Sequence, residues 1–193
     1  MSETSDLRAR AYMARSTAAF MGAKFGSRKA DQILEGLSSA ARAATTELKP
    51  ADWFSVNVYA ELLNALAAQS NGNVDDARDN LIACGEYVAR EASNTFLKML
   101  MRILTPSLFA SKLPTLWRRD FSGGRLEADI QQDRLVCRMF EIKGFDHAPC
   151  TAAGFVKFAF GSMGKAIDRV QVHNWSLAEP CAEGASIELS WQR

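Results

Sequence analysis

The sequence predicts an α+β fold in which an N-terminal helical layer packs on a C-terminal antiparallel sheet of about five strands with one covering helix. Between residues 124 and 131, apolar and charged side chains alternate, as they do in a strand with one buried face. Short links at 122–124 and 131–133 join this segment to its neighbours and are short enough for hairpins. Before residue 112, by contrast, apolar residues recur every three or four positions, which is typical of helices.

The helical part is predicted to contain several consecutive helices. The spacing of apolar residues predicts helices over 6–23 and 27–44. Pro50 is expected to open a further helix that stops at 71–73. The acidic pair Asp75 and Asp76 suits the start of another helix, which should run from 74 to about 92. A further helix over 94–104 is apolar around most of its circumference and is predicted to be buried centrally or against another molecule. The segment 107–113 is expected to form at most one more turn.

The sheet part is predicted as three strands, a helix and two strands. The predicted meander comprises 115–121, 124–131 and 134–142, and the covering helix lies near 150–165. The last two strands lie at 169–173 and 186–191, where apolar residues occupy alternate positions. With 193 residues, the chain is expected to form a single domain, 1–193, with a helical part at 1–112 and a sheet part at 113–193.

Composition favours a folded protein and excludes some classes of partner. Apolar residues make up 48% and charged residues 23%, and the net charge is +1, so we expect no nucleic-acid partner. No apolar run approaches about 18 residues, so no transmembrane segment is predicted. The first residues do not resemble a secretory signal, and the four cysteines are widely spaced. A cytoplasmic protein with reduced thiols is therefore expected.

The order of these elements resembles that of a known group of proteins. Trp53 and Tyr59 follow Pro50, and a meander, a glycine-containing helix and two strands lead to the final segment 184–191. This arrangement resembles myxobacterial-type proteins of unknown function and, more distantly, the 4-vinyl reductase domain superfamily. That superfamily includes haem nitric-oxide-binding sensors and the TRAPP tethering subunits. The resemblance implies a mixed α/β domain that often dimerises through its helices and holds a small or lipidic ligand between helices and sheet.

Haem is not expected from this resemblance. The haem-binding relatives use a histidine on a helix and a Tyr-x-Ser-x-Arg motif for the propionates. This chain has only His147 and His173, both outside the helical half, and it lacks the motif. We therefore predict that the protein uses no cofactor and does not bind haem.

A cluster of aromatic and methionine side chains is the candidate ligand site. Met and Phe line adaptable apolar sites, although for any one of these residues plain core packing is the simpler interpretation. The candidate ligand-binding residues are Phe96, Met99, Leu100, Phe109, Phe155 and Phe158.

A zinc site is the weaker alternative for the cysteines. Cys137, His147, Cys150 and Cys181 offer sulfur and nitrogen ligands, but no Cys-x-x-Cys pair is present and buried core thiols are the simpler interpretation. The sequence also lacks a Gly-x-Ser-x-Gly elbow and a phosphate-binding loop, so no catalytic residues are predicted.

Together these patterns predict a non-enzymatic, ligand-binding sensory or regulatory module. We expect a homodimer that holds a small apolar molecule between helices and sheet and passes its occupancy to a regulatory partner protein. One alternative is a dimeric, TRAPP-like protein-interaction scaffold without a ligand. Another is a zinc-dependent or other enzyme.

Overall fold

The N-terminal half of the molecule is helical. The structure is a computed structural model that describes residues 7–93, 104–177 and 184–192. After the short strand β1 (Arg8–Arg10), the chain forms α1 (Ala11–Phe25), α2 (Ser27–Glu35) and α3 (Ser39–Thr46). A second short strand, β2 (Trp53–Ser55), precedes α4 (Val56–Ala68) and α5 (Val74–Ala92). Asn73 caps α5 by accepting hydrogen bonds from the amides of Asp75 and Asp76.

The C-terminal half contains two helices and an antiparallel sheet. The elements are α6 (Pro106–Asp120), β3 (Arg125–Gln131), β4 (Arg134–Phe140), α7 (Ala148–Ser162), β5 (Ile167–His173) and β6 (Ala185–Trp191). Among the described residues, the sheet has four strands in the order β3-β4-β6-β5. The order of the last two strands in the sheet is the reverse of their order in the sequence, because β6 lies between β4 and β5.

The register of the sheet places its apolar residues on one face. Cys137 on β4 lies opposite Ala128 on β3 and Ile187 on β6, and Leu189 lies between Leu135 and Val170. Side chains two residues apart on a strand point to the same side, so these pairs extend into continuous rows across the sheet. Leu135, Cys137, Ile187 and Leu189 are almost completely buried, which identifies this face as the one that meets the core.

Helices α5 and α7 make the most intimate contact between the two halves. A Cβ built on Gly85 would lie 2.0 Å from the carbonyl oxygen of Thr151, and one on Gly154 would lie 2.0 Å from that of Ile82. Only glycine permits backbones to approach this closely, so the two residues let α5 and α7 pack against each other. Helix α7 also packs on β5 and β6, while α6 packs on β3.

A two-stranded ribbon ties the start of the described chain to the end of α6. Strands β1 and β2 pair in antiparallel orientation, with Ala9 opposite Phe54. Ala9 also forms an isolated bridge to Phe121, and the amide of Ser122 donates to the carbonyl of Arg8 over 2.9 Å. The ribbon therefore holds α1 close to the turn between α6 and β3.

The predicted α+β architecture is confirmed, with one error in the sheet. The segment 115–121, predicted as a strand, belongs almost entirely to α6, so the sheet has four strands in the described residues rather than about five. Pro114 lies inside this helix, where the missing amide removes one hydrogen bond. The helix continues because Phe109, Leu113 and Trp117, at four-residue steps, are all buried along one side.

Several helix boundaries also differ from the prediction. The helix predicted over 27–44 is divided into α2 and α3, and Pro50 is followed by β2 before α4 begins. The predicted first helix starts later, because residues 8–10 form β1. The prediction over 94–104 falls almost entirely on 94–103, outside the described residues. None of the helices within the described ranges is long and apolar enough to cross a membrane.

Candidate ligand-binding site

A cavity of about 80 Å³ lies where the helices meet the sheet. It is bounded by side chains from α1, α4, α5, α6, α7 and β3 and is almost entirely apolar. Its apolar lining includes Val88, Leu113, Leu116, Leu126, Phe155 and Val156. Gly85 also borders it, so the close contact of α5 with α7 forms part of the wall.

One wall of the cavity continues into a row of aromatic rings. Trp117 stacks on Phe121 with ring centroids 4.2 Å apart, and Phe145 lies 5.2 Å from Phe121 and 5.3 Å from Tyr59. The Trp117 indole donates a hydrogen bond to the carbonyl of Gly123 over 3.0 Å, which fixes the ring's orientation. Packed aromatic rings of this kind form a rigid surface.

A polar cluster interrupts the apolar lining at the end of α6. Arg119 donates to both carboxylate oxygens of Asp120, from Nε over 2.8 Å and from Nη2 over 2.7 Å. The Asp120 side chain is 9% exposed and borders the cavity, whereas the Arg119 side chain is 49% exposed. Burial, together with the nearby Asp120 charge, raises the pKa of Tyr12 above its ordinary value. The phenol therefore stays protonated.

A second buried polar group reaches the cavity through Tyr59. The Tyr59 hydroxyl accepts a long hydrogen bond from Thr17 Oγ1 (3.5 Å), and Thr17 Oγ1 in turn accepts one from the Cys84 thiol over 3.6 Å. Burial raises the pKa of the Tyr59 phenol and raises the pKa of the Cys84 thiol to about 12. Both groups are thus neutral, and Cys84 is a structural thiol rather than a nucleophile.

The predicted ligand-binding residues are only partly described. Phe96, Met99 and Leu100 lie outside the described residues. Phe155 borders the cavity, and buried Phe109 stacks on it with centroids 6.3 Å apart. Phe158 is half-buried and packs against the core. A ligand-binding role for these six residues stays a prediction.

Sequence reasoning missed the polar cluster at the cavity. Neither Arg119 nor the adjacent Asp120 is among the candidate residues named from the sequence. The available signal was the four-residue step from Leu116 to Asp120, which places the carboxylate on the same side of a helix as a core residue.

The candidate zinc ligands are not gathered into a site. Within the described ranges, no group of three or more His, Cys, Asp or Glu residues is placed to hold a metal ion. Cys137 and Cys150 are buried thiols, and Cys181 lies outside the description. The Nδ1 atom of His147 accepts a hydrogen bond from the Trp175 indole over 3.2 Å, so one of its ring nitrogens already has a partner.

Comparison with solved structures identifies proteins that share this fold. The unliganded Fe(II) H-NOX protein from K. algicida superposes with a TM-score of 0.71 at 9% identity, covering 95% of this chain and 97% of that one. An S. oneidensis H-NOX protein in the Fe(II)NO state gives a TM-score of 0.56 at 12% identity, covering 95% and 99%. An H-NOX structure that addresses haem distortion gives a TM-score of 0.56 at 10% identity, covering 95% of each chain. No family model and no curated protein matches the sequence.

These structures overturn the prediction that haem is excluded. Solved structures with the same arrangement of helices and sheet include Fe(II) H-NOX proteins and one that addresses haem distortion, so this fold does not exclude haem. The prediction was wrong because it treated one histidine and one motif as the whole requirement. Haem iron is also held by tyrosine or methionine in other proteins, and Tyr12, Met13 and Tyr59 border the cavity here.

Tyr12 and Tyr59 are protonated phenols in this structure, so among these three residues only the Met13 thioether is available as a neutral donor, and the present volume does not fit the whole group. An engineered cavity of about 150 Å³ holds benzene, which is far smaller than a porphyrin. The cavity of about 80 Å³ would have to widen, with surrounding helices moving apart, before haem entered.

The structural likeness extends over nearly the whole chain but at very low sequence identity. The myxobacterial, 4-vinyl reductase and TRAPP parts of the resemblance stay predictions. At 9–12% identity the comparison establishes the fold and no more. The chain has the fold of the H-NOX proteins.

Proposed function

We propose that this chain is a ligand-binding sensor domain whose ligand occupies the cavity between the helices and the sheet. The observation that carries the proposal is the apolar cavity itself, which lies where five helices and β3 converge in an H-NOX-like fold. A ligand there would touch both halves of the molecule. Its arrival or departure would therefore change the packing of α5, α6 and α7 together.

The apolar lining of the cavity supports a ligand. The cavity is bordered almost entirely by apolar side chains, which a bound apolar molecule would cover and contact. Because such a molecule would bind the folded protein and not the unfolded chain, it would stabilise the folded state.

Haem is the first ligand to test, because solved structures with this fold include Fe(II) H-NOX proteins and one that addresses haem distortion. The purified protein is titrated with hemin while the Soret absorbance is recorded. A band that saturates at one equivalent and is altered by Tyr12→Phe or Tyr59→Phe identifies haem as the ligand. Tyr87→Phe is the control, since Tyr87 does not border the cavity.

Xenon tests the cavity independently of haem, because dry apolar cavities bind this atom. We expect saturable shifts of the methyl NMR signals of Val88, Leu113 and Leu126. Ala152→Leu should abolish them by filling the volume, whereas Ala19→Leu, at an exposed position, should not. If neither hemin nor xenon binds, the proposed function is wrong.

The remaining parts of the role are proposals of the same kind. We propose that the protein acts by binding rather than catalysis, in the cytoplasm, as a homodimer that regulates a partner protein. Size-exclusion chromatography with light scattering tests the dimer, and a monomer at all concentrations would contradict it. The scaffold alternative relied on helices over 51–104, and its most apolar segment lies outside the described residues.

A further inference from the structure

We infer that the ligand of this cavity is a small neutral molecule with an apolar body and one O–H or N–H donor, which the Asp120 carboxylate accepts. The inference rests on the proposed function of the cavity. It adds the chemical class of the ligand and the residue that selects it.

The carboxylate of Asp120 has capacity for one more donor. Two ionised carboxylate oxygens accept about four hydrogen bonds and donate none. Arg119 supplies two donors, one to each oxygen, so acceptor positions are left on the carboxylate. Because Asp120 borders the cavity, a donor on the ligand can complete the set from that side.

The charge of the cluster favours a neutral ligand over a cation. Arg119 already forms a two-bond ion pair with Asp120, so the carboxylate is electrically balanced before any ligand arrives. A cation entering the cavity would lose its hydration without an uncompensated negative charge to offset the loss. A hydroxyl loses less on leaving water and gains a hydrogen bond to a charged acceptor.

The rest of the cavity limits the size and polarity of the ligand. Most side chains that line the cavity are apolar. The polar groups among them belong to Tyr12, Tyr59, Asp120, Thr151 and the indole nitrogen of Trp117. A volume near half that of the cavity that holds benzene takes about three or four non-hydrogen atoms without displacement of the helices. The probe molecules should therefore have this size.

The test compares 2-propanol with acetone, which have the same skeleton of four non-hydrogen atoms. The alcohol donates a hydrogen bond, whereas the ketone only accepts. Methyl NMR signals of Val88, Leu113 and Leu126 are followed in separate titrations of the full chain. We expect 2-propanol to bind at least about tenfold more tightly than acetone, because only the alcohol can use the carboxylate.

Two variants and a control locate the selectivity. Asp120→Asn introduces an amide that both donates and accepts, so the preference for 2-propanol should fall to within about threefold. Tyr12→Phe removes a neighbouring hydroxyl from the cavity wall but keeps the carboxylate, so the preference should persist. Asp129→Asn changes an exposed carboxylate on β3 and should leave the preference unchanged. Tyr12→Phe and the wild type keep the test decisive if Asp120→Asn does not fold.

Three outcomes would overturn the inference. The first is equal binding of 2-propanol and acetone by the wild type, and the second is an undiminished preference in folded Asp120→Asn. The third is tighter binding of isopropylammonium than of 2-propanol, which would make the ligand a cation. If xenon binds but the alcohol is not preferred, the cavity proposal stands and the donor inference falls; if no probe binds, both fall.

Discussion

His147 is a buried histidine with a specific partner. It precedes α7, is 4% exposed, and accepts a hydrogen bond at Nδ1 from the Trp175 indole. Burial lowers the pKa of His147 below its ordinary value of 6.5, while the Asp146 carboxylate opposes the shift. Because Nδ1 serves as an acceptor, protonation at that atom would remove the hydrogen bond to Trp175 as well as bury a charge.

This arrangement predicts that acid destabilises the protein through His147. Well above pH 6.5, as at pH 8, the imidazole is neutral in both the folded and the unfolded states and contributes almost no pH dependence. As the pH falls below that value, the unfolded chain takes up a proton that the folded chain resists, so the free energy of unfolding decreases. Urea denaturation at pH 8 and pH 5.5 should show a smaller decrease for His147→Gln than for the wild type. Equal decreases in the two proteins would contradict the prediction.

At the same scale, the polar residues of the cavity were harder to foresee than the apolar ones. Phe155 was selected because phenylalanine is typical of ligand sites, and it does border the cavity. Asp120 and Tyr12 are separated by more than a hundred residues, and neither forms a motif with its neighbours. Only the tertiary packing of α1 against the end of α6 makes them a pair.

At the scale of elements, the contact between α5 and α7 depends on Gly85 and Gly154, where a residue with a side chain would clash with the facing backbone. In Gly154→Ala, the new methyl group would lie 2.0 Å from the carbonyl oxygen of Ile82, and backbone atoms can move away only if the helices separate. Such overpacking costs about 1–3 kcal/mol or more. The gap would also alter the cavity, since Gly85 lies on its wall.

The prediction is that Gly154→Ala lowers the free energy of unfolding by at least about 2 kcal/mol. The matched control is Gly161→Ala on the same helix, where nothing lies within 4 Å of the new Cβ. Alanine is the better helix former, so this control should be neutral or stabilising by up to about 1 kcal/mol. Equal effects at the two positions, measured by urea denaturation, would show that close packing is not the reason for glycine at 154.

Local patterns predicted most elements but misassigned one of them. The alternation in 124–131 and 186–191 identifies β3 and β6 because each strand has one buried and one exposed face. The segment 115–121, predicted as a strand, follows Pro114, a residue that disfavours the interior of a helix. Proline removes one hydrogen bond from a helix, but burial of Trp117 and Leu113 stabilises α6 on both sides of it. This stabilisation depends on contacts distant in sequence, which periodicity does not reveal.

At the scale of the whole molecule, the two halves share their interior. The cavity wall takes residues from both halves, α5 packs on α7, and the ribbon of β1 and β2 is bonded to the turn after α6. Separating the halves would expose apolar surface on each. That the chain forms a single domain is a prediction from its length. The contacts between the two halves make this prediction testable by unfolding.

We predict a single cooperative unfolding transition. Urea denaturation followed by far-ultraviolet circular dichroism, which reports mainly on the helices, should coincide with loss of the backbone NMR signals of β4 and β6. Coincident midpoints are expected because neither half keeps a complete core alone. Two separate transitions would contradict the prediction and would indicate independently folding parts.

The position of Trp117 has a practical consequence. Its ring forms part of the cavity wall and is fixed by the hydrogen bond to Gly123 and by the stack on Phe121. Molecules that enter the cavity would contact this indole directly. Ultraviolet emission from this one side chain, isolated by replacing the other three tryptophans with phenylalanine, would provide a label-free optical gauge of occupancy.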